Sequence, residues 1–391
     1  MVICSFPPIP TLMYIKIIIY DSLILKLAYH FLVTNQNTRT MGLKDFYKIL
    51  KRAEYAPKAV GSLRGKRFVL DGKALFYRYV YGVSMEDNLA DGIVCRVDRL
   101  LQQMKVMGAK MVILACDGKK VPQEKKPTLA ARSDARQKSK RRAEVFEIFC
   151  KRQKTEGGTV VAEDGKVTQL TPEKKQKQDE DNITLLEKKQ RQSRSLSSAD
   201  VDTILDGLRK CGHDVFVAEE EADFAMSWLS QNELVDYVVA DDADLLVSCK
   251  NVIRGLPAFV LDTRNVAPEP LVYDHDDILV ALDMSKEQLT QLACILGCDY
   301  QPSICKVGSV TAVKAIHKYG TVKKFIESWT PKERAKFTLP STPESYCSQV
   351  CRSSELLTCH WPDKDALTMR YQPRTMRAKM LTLLQQIEQY D

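Results

Sequence analysis

The sequence predicts an α/β fold in which a parallel sheet is covered by helices on both faces. Continuous apolar runs, which are typical of strands buried on both faces, alternate with segments whose apolar residues recur at helical spacing. One such segment has its periodic positions at Val94, Val97, Leu100, Leu101 and Met104. Acidic residues follow each apolar run, at the point where a strand would pass into a helix.

Four strands are expected from these apolar runs. They lie at Arg67–Leu70 and within AKMVILACDGK (109–119), HDVFVAEEEADFAMSWL (213–229) and DYVVADDADLLV (236–247). Further along the chain, the segment 286–320 predicts a helix, a turn and a second helix. Asp299 lies in that turn, and Gly308 and Ser309 begin the second helix.

Length and composition are those of a globular chain with room for one large domain and appendages. It has 391 residues, of which 45% are hydrophobic and 28% charged, and a formal net charge of +8. The positive charge favours an anionic partner without proving one. The 12 cysteines lack the pattern of a small secreted disulfide framework, which indicates reduced thiols in an intracellular compartment.

One group of metal-binding residue types lies near the C-terminus. It consists of Cys347, Cys351, Cys359 and His360. Its spacing differs from the CxxC pattern of structural zinc sites. Ordinary buried or surface thiols are therefore favoured over a zinc site, which stays open as the alternative.

Seven acidic residues converge in the predicted arrangement. The carboxyl ends of parallel strands meet at one edge of a sheet, where α/β proteins bind their ligands. Helix capping would explain a single acid at one strand end, but not i, i+2 pairs at two ends together with single acids at two others. The seven residues are Asp71, Asp117, Glu221, Asp223, Asp242, Asp244 and Asp299.

So many neighbouring carboxylates cannot all stay ionised without a counter-charge. Mg²⁺ and Mn²⁺ bind carboxylate oxygens and water, and two such ions about 3.5–4 Å apart stabilise the attacking and leaving oxygens in phosphoryl transfer. We therefore expect the seven acids to hold two Mg²⁺ ions, for which Mn²⁺ can substitute.

The positive charge is concentrated between the second and third predicted strands. Residues 119–194 include 21 basic and 12 acidic residues, so this segment alone has a net charge of +9. Its latter part is rich in Gly, Lys and Gln, which predicts a flexible or partly ordered insertion. A solvated insertion is the ordinary explanation, whereas basic residues beside an acidic cluster favour an electrostatic guide for a polyanion.

Six motifs, taken together, resemble the flap endonuclease/XPG family of structure-specific nucleases. They are MGLKDFYKIL, FVLDGKALFY, ILACDGKKVP, AEEEADFAMSWL, ADDADLL and LGCDYQPSICKVG. The resemblance runs from Met41 to about Ser328 and continues more weakly through LTCHWPDKDALTMRY. It implies a PIN-like parallel-sheet nuclease core with helices on both faces, a helical arch insertion and a DNA-binding helix-two-turn-helix element.

The resemblance assigns roles to the acidic residues. It implies one metal bound by four acids and a second metal bound by two, with the last acid close by. The first set is Asp71, Asp117, Glu221 and Asp223, and the second is Asp242 and Asp244, with Asp299 beside them.

Basic and aromatic residues match family positions that approach DNA. Lys125 and Arg132 match the basic pair at the base of the arch, near the scissile phosphate, although a one-residue gap makes Lys126 a rival to Lys125. Tyr77 matches a stacking aromatic, and a core aromatic on a helix explains it nearly as well. The other expected nucleic-acid contacts are Gly42, Lys306, Gly308 and Ser309.

The chain also departs from the family pattern. Asp45 replaces a glycine early in the N-terminal motif, and Lys306 replaces the first glycine of a Gly-Ile-Gly that serves a monovalent-cation site. The tail RAKMLTLLQQIEQYD lacks a Gln-x-x-Leu-x-x-Phe-Phe clamp-binding motif.

The resemblance implies a Mg²⁺-dependent 5′-nuclease that cleaves DNA flaps, gaps or nicks by two-metal phosphodiester hydrolysis in replication, repair or recombination. Its partner would be branched or flapped DNA, and it would act as a monomer inside the cell, in the nucleus or where DNA replicates. The alternative is a catalytically silent PIN-like nucleic-acid-binding or scaffold protein, although all seven acids are present. A 5′–3′ exoribonuclease would need a larger core, and an acidic phosphatase would not need the basic tract.

Five segments are expected along the chain. Residues 1–40 are an appendage outside the fold, with Met41 as the expected initiator, because the apolar stretch 13–33 carries charges unsuited to a membrane span or a secretory signal. The others are an N-terminal nuclease region with the start of the arch (41–150), a charged flexible insertion (151–197), an internal nuclease region with the helix-two-turn-helix (198–330) and a C-terminal helical extension (331–391).

Overall fold

The structure is a computed structural model that describes residues 43, 45–80, 82–83, 88–155, 159–161, 167–169, 172–262, 267–358, 383–385 and 387–390. Gly42 and residues 1–40 lie outside this part of the chain. Among the described residues, no helix has both the length and the apolar character needed to cross a membrane. The chain divides into two compact units, a main unit within residues 41–137 and 187–391 and an insertion unit whose described part lies within residues 138–186.

The main unit is built on a seven-stranded sheet, as the apolar runs predict. The strands within the described residues are β1 (Lys58–Ala59), β2 (Arg67–Asp71), β3 (Met111–Cys116), β4 (Thr159–Val161), β5 (Val167–Gln169), β6 (Asp214–Val217), β7 (Tyr237–Val239), β8 (Asn251–Arg254) and β9 (Leu271–Asp274). The sheet has the order β1-β9-β8-β7-β2-β3-β6. Strands β8, β7, β2, β3 and β6 run parallel, and β9 and β1 are antiparallel to their neighbours.

The helices of the chain connect these strands and form its C-terminal half. They are α1 (Phe46–Arg52), α2 (Gly72–Val80), α3 (Leu89–Val106), α4 (Lys126–Thr155), α5 (Pro172–Ser193), α6 (Ser198–Lys210), α7 (Ala222–Gln231), α8 (Leu256–Val260), α9 (His275–Leu282), α10 (Lys286–Leu296), α11 (Ser309–Tyr319), α12 (Val322–Glu327), α13 (Pro331–Lys336) and α14 (Pro343–Thr358). Capping boxes at Ser197 and Ser285 begin α6 and α10, because each serine and the residue three positions later exchange hydrogen bonds with the backbone.

A separate hydrophobic core lies on each face of the sheet. Successive side chains of a strand point to opposite faces, so Val69 of β2 joins one core while its neighbours Phe68 and Leu70 join the other. All six residues of β3 are buried, with alternate members in the two cores. This double burial explains why the strands read as continuous apolar runs, and the predicted α/β fold with helices on both faces is confirmed.

The insertion unit is described by itself. It contains the latter part of α4, the antiparallel pair β4–β5, and the first part of α5. The expectation that residues 151–197 form a charged flexible insertion stays a prediction, as do the other segment boundaries.

Two non-glycine residues adopt a left-handed backbone at the positions where the family pattern has glycine. Asp45 has φ 60° and Lys306 has φ 64°. A left-handed backbone brings the Cβ of an L-residue close to the backbone, and Asp tolerates it better than Lys because its short polar side chain bonds locally. Both residues therefore carry backbone strain that glycine would avoid.

Lys306→Gly should stabilise the protein by about 1 kcal/mol, because glycine removes the left-handed strain. The thermal midpoint should rise by about 2 °C. Lys306→Ala is the matched control: it also removes the charge but keeps the Cβ, so it should leave the midpoint unchanged or lower it. Asp45→Gly should stabilise less than Lys306→Gly. A fall in the midpoint of Lys306→Gly would show that the lysine side chain contributes more than the strain costs.

Candidate active site

The predicted acidic residues meet at the carboxyl edge of the sheet. Strands β2, β3, β6 and β7 run parallel, so the acids that follow them come to one side. We call Asp71, Asp117, Glu221 and Asp223 the first acidic group, and Asp242, Asp244 and Asp299 the acidic triad.

Backbone contacts orient the acids that follow β2 and β3. Asp71 Oδ1 accepts a hydrogen bond of 2.9 Å from the backbone N–H of Ala74 in the first turn of α2. Asp117 Oδ1 accepts one of 2.9 Å from the N–H of Ala222, which begins α7. Capping thus accounts for part of the surroundings of Asp71, whereas Asp117 is directed across to the end of another strand.

Gly118 allows the loops after β3 and β6 to touch. Its N–H donates to the carbonyl of Glu220 at 2.6 Å, and a Cβ atom at this position would lie 2.1 Å from the carbonyl oxygen of Glu219. No side chain fits such a gap. The close approach places Asp117 beside the loop that leads into Glu221.

Glu221 and Asp223 enter the site from the start of α7. Glu221 holds the N-cap position, yet its side chain makes no capping hydrogen bond. It is buried and forms an ion pair with Lys125 instead. The capping explanation therefore fails for Glu221.

The acidic triad is the most compact part of the site. One carboxylate oxygen from each of its three residues lies within 4.8 Å of the others. Asp244 accepts backbone hydrogen bonds from Leu43 at 3.0 Å and Asp299 at 3.2 Å, and Asp242 accepts one of 3.2 Å from Asp244. The adjacent Asp241 does not join this group, because it forms an ion pair with Arg78 of α2.

The acidic residues are short of positive charge. Burial raises the pKa of Asp71 to about 7, and it raises the pKa values of Asp223 and Asp244 well above their ordinary range. Burial also raises the pKa values of Glu221 and Asp242. A site made only of oxygen ligands with an unmet demand for positive charge fits a hard divalent cation such as Mg²⁺.

Asp117 behaves differently from its neighbours. Burial acts to raise its pKa, but three other contacts together hold the pKa below its ordinary value. They are the ammonium of Lys73, whose Nζ donates to Asp117 Oδ2 at 2.7 Å, the N–H of Ala222 and the charge of Lys125. Lys73 was not anticipated from the sequence. Its position two residues after Asp71, at the start of a helix that begins at the acidic edge, could have marked it as a candidate, but not its partner.

The two basic residues expected at the base of the arch both reach the acidic residues. Lys125 is buried, pairs with Glu221 and lies 3.3 Å from Asp299 Oδ2, whereas its rival Lys126 is exposed. Arg132 donates to Asp299 Oδ1 at 2.6 Å. Thr128 Oγ1 donates to the Asp299 carbonyl at 2.8 Å and so ties the start of α4 to this turn. The geometry brings Lys125, not Lys126, to the site.

Tyr77 packs as a core aromatic and also faces a cation, and its role as a stacking aromatic stays a prediction. It is half-buried on α2 and packs against one hydrophobic core. The guanidinium of Arg136 lies 5.1 Å from its ring centroid and donates to the hydroxyl at 3.2 Å. An aromatic ring paired with a cation is a common element of surfaces on which bases stack.

The helix-two-turn-helix residues are accessible at the start of α11. Gly308 is exposed, and no atom lies within 4 Å of the place a Cβ would take. Ser309 Oγ accepts a hydrogen bond of 3.0 Å from Arg52 at the end of α1. Lys306 is exposed in the turn before them.

The C-terminal helix α14 supports the turn that carries Asp299. Ser353 Oγ donates to the carbonyl of Tyr300 at 3.0 Å, and Gln349 Nε2 donates to the same oxygen at 3.3 Å. Cys347 and Cys351 lie on this helix, and Cys359 and His360 lie outside the described residues. Within the described residues, neither cysteine belongs to a group that could hold a metal ion.

Stability of the metal-free protein should fall as pH rises. The pKa of Asp71, about 7 in the folded chain, lies above its value of roughly 4 in an unfolded one. Such a carboxyl stabilises the fold while it is protonated, and this contribution is lost as pH rises through about 7. We expect the thermal midpoint in EDTA to fall from about pH 5 to about pH 8, and saturating Mg²⁺ to raise the midpoint more at the higher pH.

Circular dichroism melts at the two pH values, with EDTA or with Mg²⁺, measure this effect. Asp71→Asn is the control, because a neutral side chain should reduce the fall in EDTA. A larger Mg²⁺ effect at the lower pH would contradict the expectation.

Known proteins resemble this chain in the region that carries most of the acidic residues. The XPG I-region family model matches residues 212–299, which include five of the seven acids. Flap endonuclease 1 of Fusarium vanettenii is 27% identical over 172 residues, which cover 44% of this chain and 38% of that protein. Flap endonuclease 1 of Micromonas commoda is 25% identical over 354 residues, covering 88% and 77%.

A solved structure shares the fold. The catalytic core of Rad2 in complex with DNA substrate covers 88% of this chain and 95% of its own, with 17% identity and a TM-score of 0.50. This likeness concerns the fold alone. The chain spans less than half the length of the first curated relatives it matches. The family model, the relatives and the shared fold agree: the chain contains a segment that matches the XPG I-region and is similar to flap endonucleases.

Proposed function

We propose that this chain is a divalent-metal-dependent, structure-specific 5′-nuclease that hydrolyses phosphodiesters at DNA flaps, gaps or nicks. The observation that carries the proposal is the joining of seven carboxylates at one edge of the sheet, with Lys125 just before α4 and Arg132 within α4 placed against them. An anionic substrate needs positive charge, and a metal needs oxygen ligands. The site offers both at one place.

Two Mg²⁺ ions are proposed, one for the first acidic group and one for the acidic triad, and Mn²⁺ can substitute. When bound, the ions would act as Lewis acids that stabilise negative charge on the phosphate oxygens. The carboxylates bind and orient these ions, and the backbone hydrogen bonds to Asp244 and Asp117 keep those ligands from rotating.

Lys125 and Arg132 change partners in this proposal. Without metal they neutralise Glu221 and Asp299. With divalent cations bound to the carboxylates, the ammonium and guanidinium groups would be free to donate to the phosphate that is cleaved. Preorganised donors aimed at developing charge are a large source of rate enhancement.

DNA would be held by groups around the edge of the site. The ring of Tyr77 offers a stacking surface, and the exposed backbone N–H groups at Gly308 and Ser309 begin an 11-residue helix that suits a phosphate. Lys306 adds a positive charge beside them. The proposed partner is flapped or branched DNA, bound by a monomer inside the cell, in the nucleus or at sites of DNA replication.

Cleavage of a 5′-labelled flap DNA tests the proposal. We expect cleavage near the junction with Mg²⁺, none with EDTA, and little cleavage of single-stranded RNA. Binding of the flap DNA without cleavage in saturating Mg²⁺ and in Mn²⁺ would contradict a nuclease.

A catalytically silent nucleic-acid-binding protein is the second candidate. The observation that favours it is that Lys73 and Lys125 already neutralise two of the acids without any metal. Such a protein would bind flap DNA with an affinity that does not depend on divalent cations. The same binding assay with EDTA and with Mg²⁺ separates the two candidates.

The salt dependence of DNA binding should come from the first part of the basic segment 119–194. Residues 119–142 have ten basic and two acidic residues, whereas residues 154–192 have eight of each and no net charge. Each phosphate neutralised contributes roughly −0.9 to the slope of log K against log salt on duplex DNA. Deleting residues 154–192 should therefore change the slope little.

Binding isotherms at several salt concentrations test this expectation. Replacing Lys140 and Arg141 by glutamine is the comparison, because loss of each phosphate contact should reduce the slope by about 0.9. A large reduction on deletion would make residues 154–192 a binding arm.

A further inference from the structure

The acids have two kinds of partner. In the acidic triad, Asp242 and Asp244 accept hydrogen bonds from backbone N–H groups, and Asp299 pairs with Arg132 and Lys125. In the first acidic group, Asp117 and Glu221 pair with the ammonium groups of Lys73 and Lys125. A backbone N–H leaves an oxygen with a lone pair for a cation, whereas an ammonium brings a full positive charge that repels one.

Lys73 lies close enough to interact with several members of the first acidic group. It is the second residue of α2 and follows Asp71 by two positions. Its Nζ lies 2.7 Å from Asp117 Oδ2, and its charge also favours the ionised forms of Asp71 and Glu221. No role for this lysine follows from the motifs in the sequence.

The ion pair between Lys73 and Asp117 differs from an ordinary surface salt bridge. Exposed ion pairs contribute little because both partners are hydrated and mobile. Here 18% of the Asp117 side chain is exposed, and its other oxygen is held by the N–H of Ala222. Asp117 therefore cannot turn away, and its free oxygen is the one that Lys73 covers. A cation that binds Asp117 must displace this ammonium or share the oxygen with it.

We propose that Lys73 is a built-in counter-ion that competes with the divalent cation of the first acidic group and sets the affinity of that group for it. The inference rests on the proposed function, since it concerns the metal site assigned there. Lys73 neutralises Asp117 until the cation arrives, and then its half-exposed side chain turns outward. Loading of this group consequently needs a higher free Mg²⁺ concentration than its four carboxylates alone would require.

Mn²⁺ binding to the full chain, without DNA, tests the role of Lys73. Free Mn²⁺ is measured by electron paramagnetic resonance for the wild type, Lys73→Gln and Lys73→Met. Both variants should bind the ion of one site class about tenfold more tightly with unchanged stoichiometry, which is the order expected when a ligand no longer displaces a charge-assisted hydrogen bond. Lys73→Arg keeps the charge and should keep the wild-type affinity.

Lys119→Gln is the matched control. Lys119 is exposed and follows Asp117 by two positions, as Lys73 follows Asp71. Removing its charge should change the Mn²⁺ affinity far less, because it lacks the short contact with Asp117 that Lys73 makes. An equal gain from Lys119→Gln and Lys73→Gln would overturn the proposal, since net charge alone would then explain the effect.

Failure of the proposal and failure of the proposed function give different results. If Lys73→Gln and Lys73→Met, both folded by circular dichroism, bind Mn²⁺ no more tightly than the wild type, the counter-ion role is wrong even if the wild type cleaves flap DNA. If no variant binds Mn²⁺ at all, the role is wrong as well. A tenfold gain in Mn²⁺ affinity, in a chain that does not cleave flap DNA, would support the role of Lys73 and contradict the nuclease function.

Discussion

Asp242→Asn is expected to abolish flap cleavage while flap DNA is still bound. The substitution keeps the shape of the side chain but removes a charged ligand from the acidic triad, whose oxygens lie within 4.8 Å of one another. We expect the rate to fall by about 10³-fold or more, beyond the 10²–10³ typical of losing one preorganised donor. Single-turnover cleavage measures the rate, and fluorescence anisotropy with a labelled flap measures binding.

Asp241→Asn is the matched control for this experiment. Asp241 is adjacent in sequence, but it pairs with Arg78 and does not belong to the triad. It should retain most of the cleavage rate. Near wild-type cleavage by Asp242→Asn in saturating Mg²⁺ would contradict the two-metal site, and equal losses in both variants would point to a local structural role for the whole turn.

Replacing both Lys125 and Arg132 by alanine should lower the single-turnover rate far more than the affinity for flap DNA. Both side chains lie at the acidic residues, where charge would develop on the phosphate in the proposed reaction, and each lost donor should cost about 10²–10³ in rate. Affinity should change little because many other basic residues are available to the DNA backbone. Rapid-quench kinetics with enzyme in excess gives the rate, and equilibrium binding gives the affinity.

Lys126→Ala provides the control for a nearby charge. Lys126 directly follows Lys125 but is exposed, so its loss should alter the salt dependence and not the rate of the chemical step. The double variant also leaves Glu221 and Asp299 without their cationic partners, so folding should be checked in Mg²⁺. A large loss of affinity with an unchanged rate would reassign Lys125 and Arg132 to ordinary backbone contacts.

Four strands were predictable because each is buried on both faces. Strands β2, β3, β6 and β7 fall in the four apolar runs, and each is followed by the acids that the site uses. The three strands at one edge of the sheet were not anticipated. β1, β8 and β9 lie outside the four apolar runs and are not followed by acids of the site, so neither signal identified them.

The acids themselves were predictable as a set, but their partners were not. Parallel strands bring their carboxyl ends together wherever each strand lies in the chain, so residues as distant as Asp71 and Asp242 could be placed at one edge. A pairing such as Asp241 with Arg78, or Asp117 with Lys73, depends on which way a side chain leaves a turn. The spacing of residues in the sequence carries no such information.

The fold class and the grouping of the seven acids could be predicted from the sequence alone, because burial on both faces and the fixed geometry of parallel strands leave clear patterns in it. The resemblance to the flap endonuclease/XPG family came from the six motifs. The folded chain was needed to show that Lys125 rather than Lys126 enters the site, that Lys73 covers Asp117, and that Lys306 carries a left-handed backbone. These features depend on contacts between residues far apart in the chain and on distances of a few ångströms. Such distances decide whether a charge is paired, and no local pattern of residues encodes them.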